Sequence, residues 1–181
     1  SSDWKYSFED VRHANYVLTG LRSSSLDYET KANYEGIAKL NRAWTYYQLV
    51  RQYGDVPFIN TVVTTEDDNI LYGPRIDRDI VMDSVLNDLN FAAEYITQTN
   101  KQRFTADMAL AMKAEIALYE GTYCKYRTAE DNAGKAANPD RAQRYLNECV
   151  DACNKLMAKG YKLNDSYRGN YNSTDLSKNP E

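Results

Sequence analysis

One histidine, three cysteines and 26 acidic residues are the groups through which this chain could do chemistry. The histidine, His13, falls inside a helical stretch. A serine or cysteine hydrolase sets a base beside its nucleophile, and His13 would have to fill that role alone. It is read as an ordinary helical histidine. Cys124, Cys149 and Cys153 are odd in number and form no Cys-x-x-Cys pair, against both a disulfide framework and a zinc site. They are read as small buried thiols, the last two sharing one helix face at four-residue spacing. Glycoside hydrolysis needs only two well-placed carboxylates, but the spacing of the acids nominates no pair. The run "TTEDDN" at 64–69 lacks the alternating aspartates and glycine of a calcium loop and is read as solvated. No P-loop, Gly-x-Gly-x-x-Gly or His-Glu-x-x-His occurs. The expectation is a chain without catalysis, cofactor or metal.

Binding chemistry is better represented. The chain has 16 tyrosines against four phenylalanines and two tryptophans. A tyrosine ring with its polar tip suits half-buried helix contacts and sugar surfaces alike, and helix packing accounts for most of them. Three aromatics stand outside any apolar stripe: Trp4 and Tyr6, ahead of the first helix, and Tyr72 in an irregular connection. Exposed rings can stack on the apolar face of a pyranose, so these three are the candidate glycan contacts. Net charge is −4 and the isoelectric point is near 5.1. With no lysine or arginine stripe, nucleic acid is not an expected partner. No apolar run approaches the ~20 residues of a membrane span. The opening "SSDWKYSFED" is neither a signal peptide nor a lipid-attachment motif, so either the chain is cytosolic or its targeting segment lies outside it.

Five helical segments position these residues, with hardly a strand among them. The first spans about Phe8 to Arg22, capped by Ser7, with a loose apolar face of Val11, Tyr16, Leu18 and Leu21. The second, about Tyr28 to Tyr53, carries two adjacent stripes: Ile37, Leu40, Trp44, Tyr47 and Ala43, Tyr46, Val50, Tyr53. Two stripes imply more than one packing partner and put Trp44 in the core. Gly54 and Pro57 then stop the helix. After an irregular stretch from Val56 to Pro74, a third helix opens on Asp77 and runs to about Thr97. Val81, Val85, Leu89, Ala92 and Ile96 line it, and Asp88 falls off that face. A fourth follows Thr105 to about Tyr126, alanine-rich, with Lys113 and Glu120 on a narrow polar strip. The fifth starts at Asn138-Pro139 and closes at Gly160, its face made by Leu146, Val150, Cys153 and Leu156 or Met157. Segments two and three, and four and five, are expected to form hairpins. The fold class is therefore all-α, TPR-like stacked helical hairpins, although the strict 34-residue TPR signature is absent.

The segments also resemble a known family in their order. "WKYSFEDVRHANYVL", "YEGIAKLNRAWTYYQLVRQYGDVPFI", "GPRIDRDIVMDSVLNDLNFAAEYI", "RFTADMALAMKAEIALYEGTY" and "YLNECVDACNKLMAKGYKL" follow one another as in the SusD/RagB family of outer-membrane nutrient-binding lipoproteins of Bacteroidetes. The most specific elements are Arg42-Ala43, the Tyr53-Gly54-Asp55-Val56-Pro57 turn, Asp88-Leu89, and Ala114 through Tyr119-Glu120-Gly121-Thr122. Each is weak alone and strong in this order, from about Trp4 to Glu181.

The resemblance implies a non-catalytic, surface-exposed lipoprotein of the outer membrane that binds a glycan or oligosaccharide. It would act with a SusC-like TonB-dependent transporter, touching the membrane only through a lipid anchor absent from these residues. Family members are longer, so residues 1–181 are expected to be a single N-terminal helical domain. The lipoprotein N-terminus and the C-terminal half would be missing, with "NYNSTDLSKNPE" stopping where the pattern would continue. The rival from another class is a helical-repeat interaction scaffold with no small-molecule ligand.

Overall fold

The structure is a computed structural model that describes residues 2–172 and Thr174. Most of the closing segment after Asn172 therefore lies outside the described residues. The element order is α1 (Ser2–Ser23), α2 (Tyr28–Tyr53), α3 (Asp68–Leu71), α4 (Arg78–Tyr95), α5 (Ala106–Tyr126), α6 (Pro139–Met157) and α7 (Tyr167–Asn172). Among the described residues no strand forms; Val56 and Ile76 make one isolated antiparallel bridge. The chain divides into two compact units, Ser1–Thr97 and Gln98–Glu181.

In the first unit α2 packs against both α1 and α4, as its two apolar stripes require. Cross-helix pairs run in opposite sequence order. Phe8 meets Tyr46 and Asn15 meets Arg42, while Gly36 lies against Ala92 and Ile96 and Arg42 against Asp88. Both neighbours of α2 are thus antiparallel to it. Val11, Leu40, Tyr46, Leu49, Val81, Met82, Val85 and Leu89 form the centre of this core. Asp27 caps α2 by accepting the Thr30 N–H, and this bond and the Thr30 hydroxyl hold its carboxyl below the usual carboxylate range. At the other end Gly54 has φ of 70° and donates its N–H to Val50 O, a left-handed position that glycine takes without steric cost.

The second unit contains the α5–α6 hairpin. Asp107 bonds Lys159, Lys113 pairs with Glu148 and Glu120 with Arg141, again in antiparallel order. Thr105 caps α5 and Asn138 caps α6, with Pro139 in its first turn. The two axes come close at Gly121, where an added Cβ would lie 2.8 Å from Leu146 Cγ and 3.1 Å from Ala142 O.

The structure corrects several sequence expectations. Helix α1 begins at Ser2, so Ser7 does not cap it and Trp4 and Tyr6 are helical. Trp44 is 36% exposed, resting at the edge of the core against Tyr47, 5.6 Å between ring centroids. Tyr16 is exposed on α1, where Ala14 and Asn15 take the buried positions. On α6 the buried residues are Ala142, Tyr145 and Ala152, whereas Val150 is 58% exposed and Met157 is exposed too. The buried face of α6 is thus Ala142, Tyr145 and Ala152, with Leu146 against Gly121, one position off the face that apolarity alone selects. Lys113, Glu120 and Asp88, expected on polar faces, are all buried. Cys124 is buried, but Cys149 and Cys153 are only half-buried.

Candidate functional site

Helix α1 and the connection after α2 bound the groove to which a sequence-nominated residue contributes. Trp4, Phe8 and Val11 line it from α1, and Ile59, Ile70 and Leu71 from the connection, enclosing about 600 Å³. Lys5, Glu9, Arg12, Thr61, Thr64 and Thr65 also line it. A lining that mixes apolar side chains with polar and charged ones suits a ring with one apolar face and a polar edge, such as a pyranose. Glu9 is the single carboxylate among the lining residues, where glycosidic hydrolysis uses two. His13 is exposed on α1 and does not line the groove.

The groove wall is fixed from beneath by buried polar bonds. Arg42 Nε donates to Asp88 Oδ2 at 2.8 Å, Nη2 to Asp88 Oδ1 at 2.9 Å and Nη1 to Asn15 Oδ1 at 2.8 Å. Asn15 Nδ2 in turn donates to the carbonyls of Ile59 and Thr61, at 3.0 and 3.1 Å. Tyr46 accepts the Ile59 N–H at 2.7 Å and donates to the Ile59 carbonyl at 3.2 Å. Burial pushes the Asp88 carboxyl up, against the downward pull of Arg42, and burial holds the Tyr46 phenol well above its ordinary value. Helices α1 and α2 thus hold residues 59–61 directly, and α4 braces Asn15 through Arg42. Two other parts of the connection are tied locally. Asp55 Oδ1 accepts the Arg78 N–H at 2.9 Å, joining the end of α2 to the start of α4. Asp67 accepts from the Thr64 N–H and hydroxyl at 2.7 and 2.9 Å, which lowers its pKa. The "TTEDDN" run therefore folds partly back on itself.

Of the three nominated aromatics, the structure brings one to the groove. Trp4 packs at 4.9 Å from Phe8 and from Tyr53, with the Arg75 guanidinium 5.3 Å from its ring centroid, and is half-buried. Tyr6 is 60% exposed and Tyr72 is 84% exposed; neither lines the groove, although each adjoins a residue that does, Lys5 and Leu71. Sequence reasoning missed Phe8, Ile59, Ile70 and Leu71. For the last three the available signal was the apolar clusters at 56–59 and 70–72 of the connection, which must cover something or remain exposed.

Comparison with known proteins agrees with this architecture. Residues 1–118 match the profile of a SusD-like family described as starch-binding, associating with the outer membrane. SusD-like protein P2 of Formosa agariphila is 32% identical over 122 residues, covering 66% of this chain and 22% of that protein. SusD-like protein P25 of the same organism is 24% identical over 125 residues, covering 66% and 23%. The chain thus spans less than a quarter of the length of these relatives. Among solved structures, a laminarin-binding SusD-like protein superposes with a TM-score of 0.74 at 21% identity, over 99% of this chain and 36% of its own. A SusD-like protein from Bacteroides fragilis gives 0.71 at 24% identity, over 90% and 28%. A profile match across more than half the chain, covering α1, α2, α4 and the turn between them, settles the relationship: this chain belongs to the SusD/RagB family of SusD-like proteins.

Proposed function

We propose that this chain is the N-terminal helical portion of a non-catalytic, surface-exposed lipoprotein that captures a glycan and passes it to a SusC-like TonB-dependent transporter in the outer membrane. The observation that carries the reading is the match of residues 1–118 to a family described as starch-binding and outer-membrane-associated. Two structural neighbours support it: one is a laminarin-binding protein, and another was solved with a xylogluco-oligosaccharide at a TM-score of 0.61. Short coverage of the relatives supports placing the anchor and the remaining ligand-binding loops elsewhere in a longer polypeptide.

In this reading the α1–connection groove supplies part of the ligand surface, with Trp4 in its wall and Tyr6 and Tyr72 at its flanks. Affinity gels cast with laminarin, xyloglucan or starch test it on the 181-residue chain. The expected result is retardation by at least one polymer. Trp4→Ala, Tyr6→Ala and Tyr72→Ala should each weaken it, Trp4→Ala by about tenfold, or ~1.4 kcal/mol. Unchanged affinity removes that residue from the site. Migration unaffected by every glycan tested, together with capture of the chain by a protein partner, would instead favour the helical scaffold.

A further inference from the structure

A second pocket in the same unit differs in character. It encloses about 580 Å³ and reaches down to the Arg42–Asp88 pair, with Arg22, Tyr28, Lys31 and Phe91 among its other lining residues. Two acids face it, and both are matched: Asp88 by Arg42, and Glu35 by Lys39 at 2.7 Å. Arg22 and Lys31 are left without a carboxylate partner among the described residues, so the pocket is positive in a chain whose net charge is −4.

Three features say that this surplus is aimed at a ligand. The Arg42 side chain is 8% exposed and lines the pocket. Each of its nitrogens makes one bond, Nε and Nη2 to Asp88 and Nη1 to Asn15. A guanidinium has two N–H groups on each terminal nitrogen, so these bonds use one of the two on Nη1 and one of the two on Nη2. Lys31 stands in the first turns of α2, where a cation opposes the helix dipole, so helix stability does not account for it. Asp27 and Glu29, the acids of that helix start, do not line the pocket, and Asp27 is engaged by Thr30. Finally, Tyr28 is 75% exposed and offers a ring at the mouth, whereas Phe91 is already covered on one side by Lys39, its Nζ 3.7 Å from the ring centroid.

We propose that this pocket binds the acidic substituent of an anionic saccharide, a carboxylate or a sulfate ester. Lys31, Arg22 and Arg42 take the anion, and Tyr28 lies against the sugar ring. The proposal rests on the glycan-capture reading and narrows its ligand class. Charged N–H donors suit the oxygens of such a group.

The test measures affinity electrophoresis and titration calorimetry of the intact chain against three polymers: a polyuronate, a sulfated galactan and neutral laminarin. Wild type is compared with the double variant Arg22→Gln/Lys31→Gln, both sites lying at the surface or half-buried, with circular dichroism as the folding check. The expected result is that one acidic polymer binds, weakens with added salt, and loses about tenfold affinity or more in the double variant. The polymer that binds identifies carboxylate or sulfate as the group. Undiminished acidic-polymer binding in the double variant overturns the pocket and leaves glycan capture intact. Binding of laminarin alone, equal in both proteins, does the same. Failure of every glycan to bind overturns both readings.

Discussion

Arg42 and Asp88 are charged residues in the middle of an apolar three-helix unit, and their worth lies in being paired. Removing one partner leaves the other's charge buried without compensation, which costs about 3–5 kcal/mol. Asp88→Ala is therefore expected to lower the urea midpoint severely. Arg42→Met combined with Asp88→Leu should recover part of the loss, and additive losses in the double variant would contradict the pairing. Cys124 makes a second residue-scale case. Burial first, then the neighbouring Glu120 that accepts its S–H, pushes its thiol up to about 11. Because the folded value exceeds the ordinary value of 9.0, the unfolded thiol ionises first. The stabilisation is complete below pH 9 and is lost as pH rises through about 11. At pH 8 a thiol reagent should label Cys149 and Cys153 in the native protein and Cys124 only after denaturation. Three rapidly reacting thiols would contradict this.

At the scale of elements, Gly121 is where α5 and α6 come nearest. Gly121→Ala adds helix propensity but sets a methyl against Leu146 and the Ala142 carbonyl, and backbone cannot rotate aside. The expected net loss is about 1–3 kcal/mol by denaturant titration, with Leu146→Ala restoring some of the lost room. Equal stability would mean that the helices separate without cost. The same elements show what was legible in the sequence. Punctuation placed the end of α2 and the starts of α4 and α5 closely, because Gly54, Asp77 and Thr105 act within one turn of backbone; the Asp27 cap of α2 was missed. Faces were harder. Periodicity ranks residues by apolarity, so it cannot see that Asp88 is neutralised by Arg42 from another helix, 46 residues away. Nor does it show that Lys113 finds Glu148, or that α6 buries Tyr145 and leaves Val150 exposed. The groove was legible only through Trp4. Its other wall depends on how the 56–74 connection folds back, which is decided by hydrogen bonds to α1 and α2 and not by local pattern.

For the molecule as a whole, the two units each hold a core of their own, and the segment joining them is a peptide at the surface. Residues 99–104 are exposed, and Lys101 and Arg103 lie within them. The end of the first unit is anchored, with Asn33 Oδ1 accepting the Thr97 N–H at 2.9 Å. Within 98–103 the bonds are short-range, Asn100 O accepting the Arg103 N–H and Asn100 Oδ1 the Gln102 N–H, each at 2.9 Å, whereas the polar 128–136 loop is also braced across nine residues, by Arg127 Nε to Ala136 O at 2.8 Å and a Tyr123–Asn132 bond. Brief trypsin treatment is therefore expected to cut first at Lys101 or Arg103, yielding two fragments seen by mass spectrometry. A first cut at Lys135 or Arg75 would place the weakest point elsewhere.

The clasp of residues 59–61 by Asn15 and Tyr46 has a consequence for the order of assembly. Asn15 sits on α1 and Tyr46 on α2, so the strap they grip can be fastened only after those two rods have met. A groove wall made this way is a late product of folding that inherits the rigidity of the bundle beneath it. The Ile59 amide, held by a phenol oxygen in place of a helical carbonyl, is then a single-proton gauge of the strap: its exchange with deuterium reports the release of residue 59 from α2.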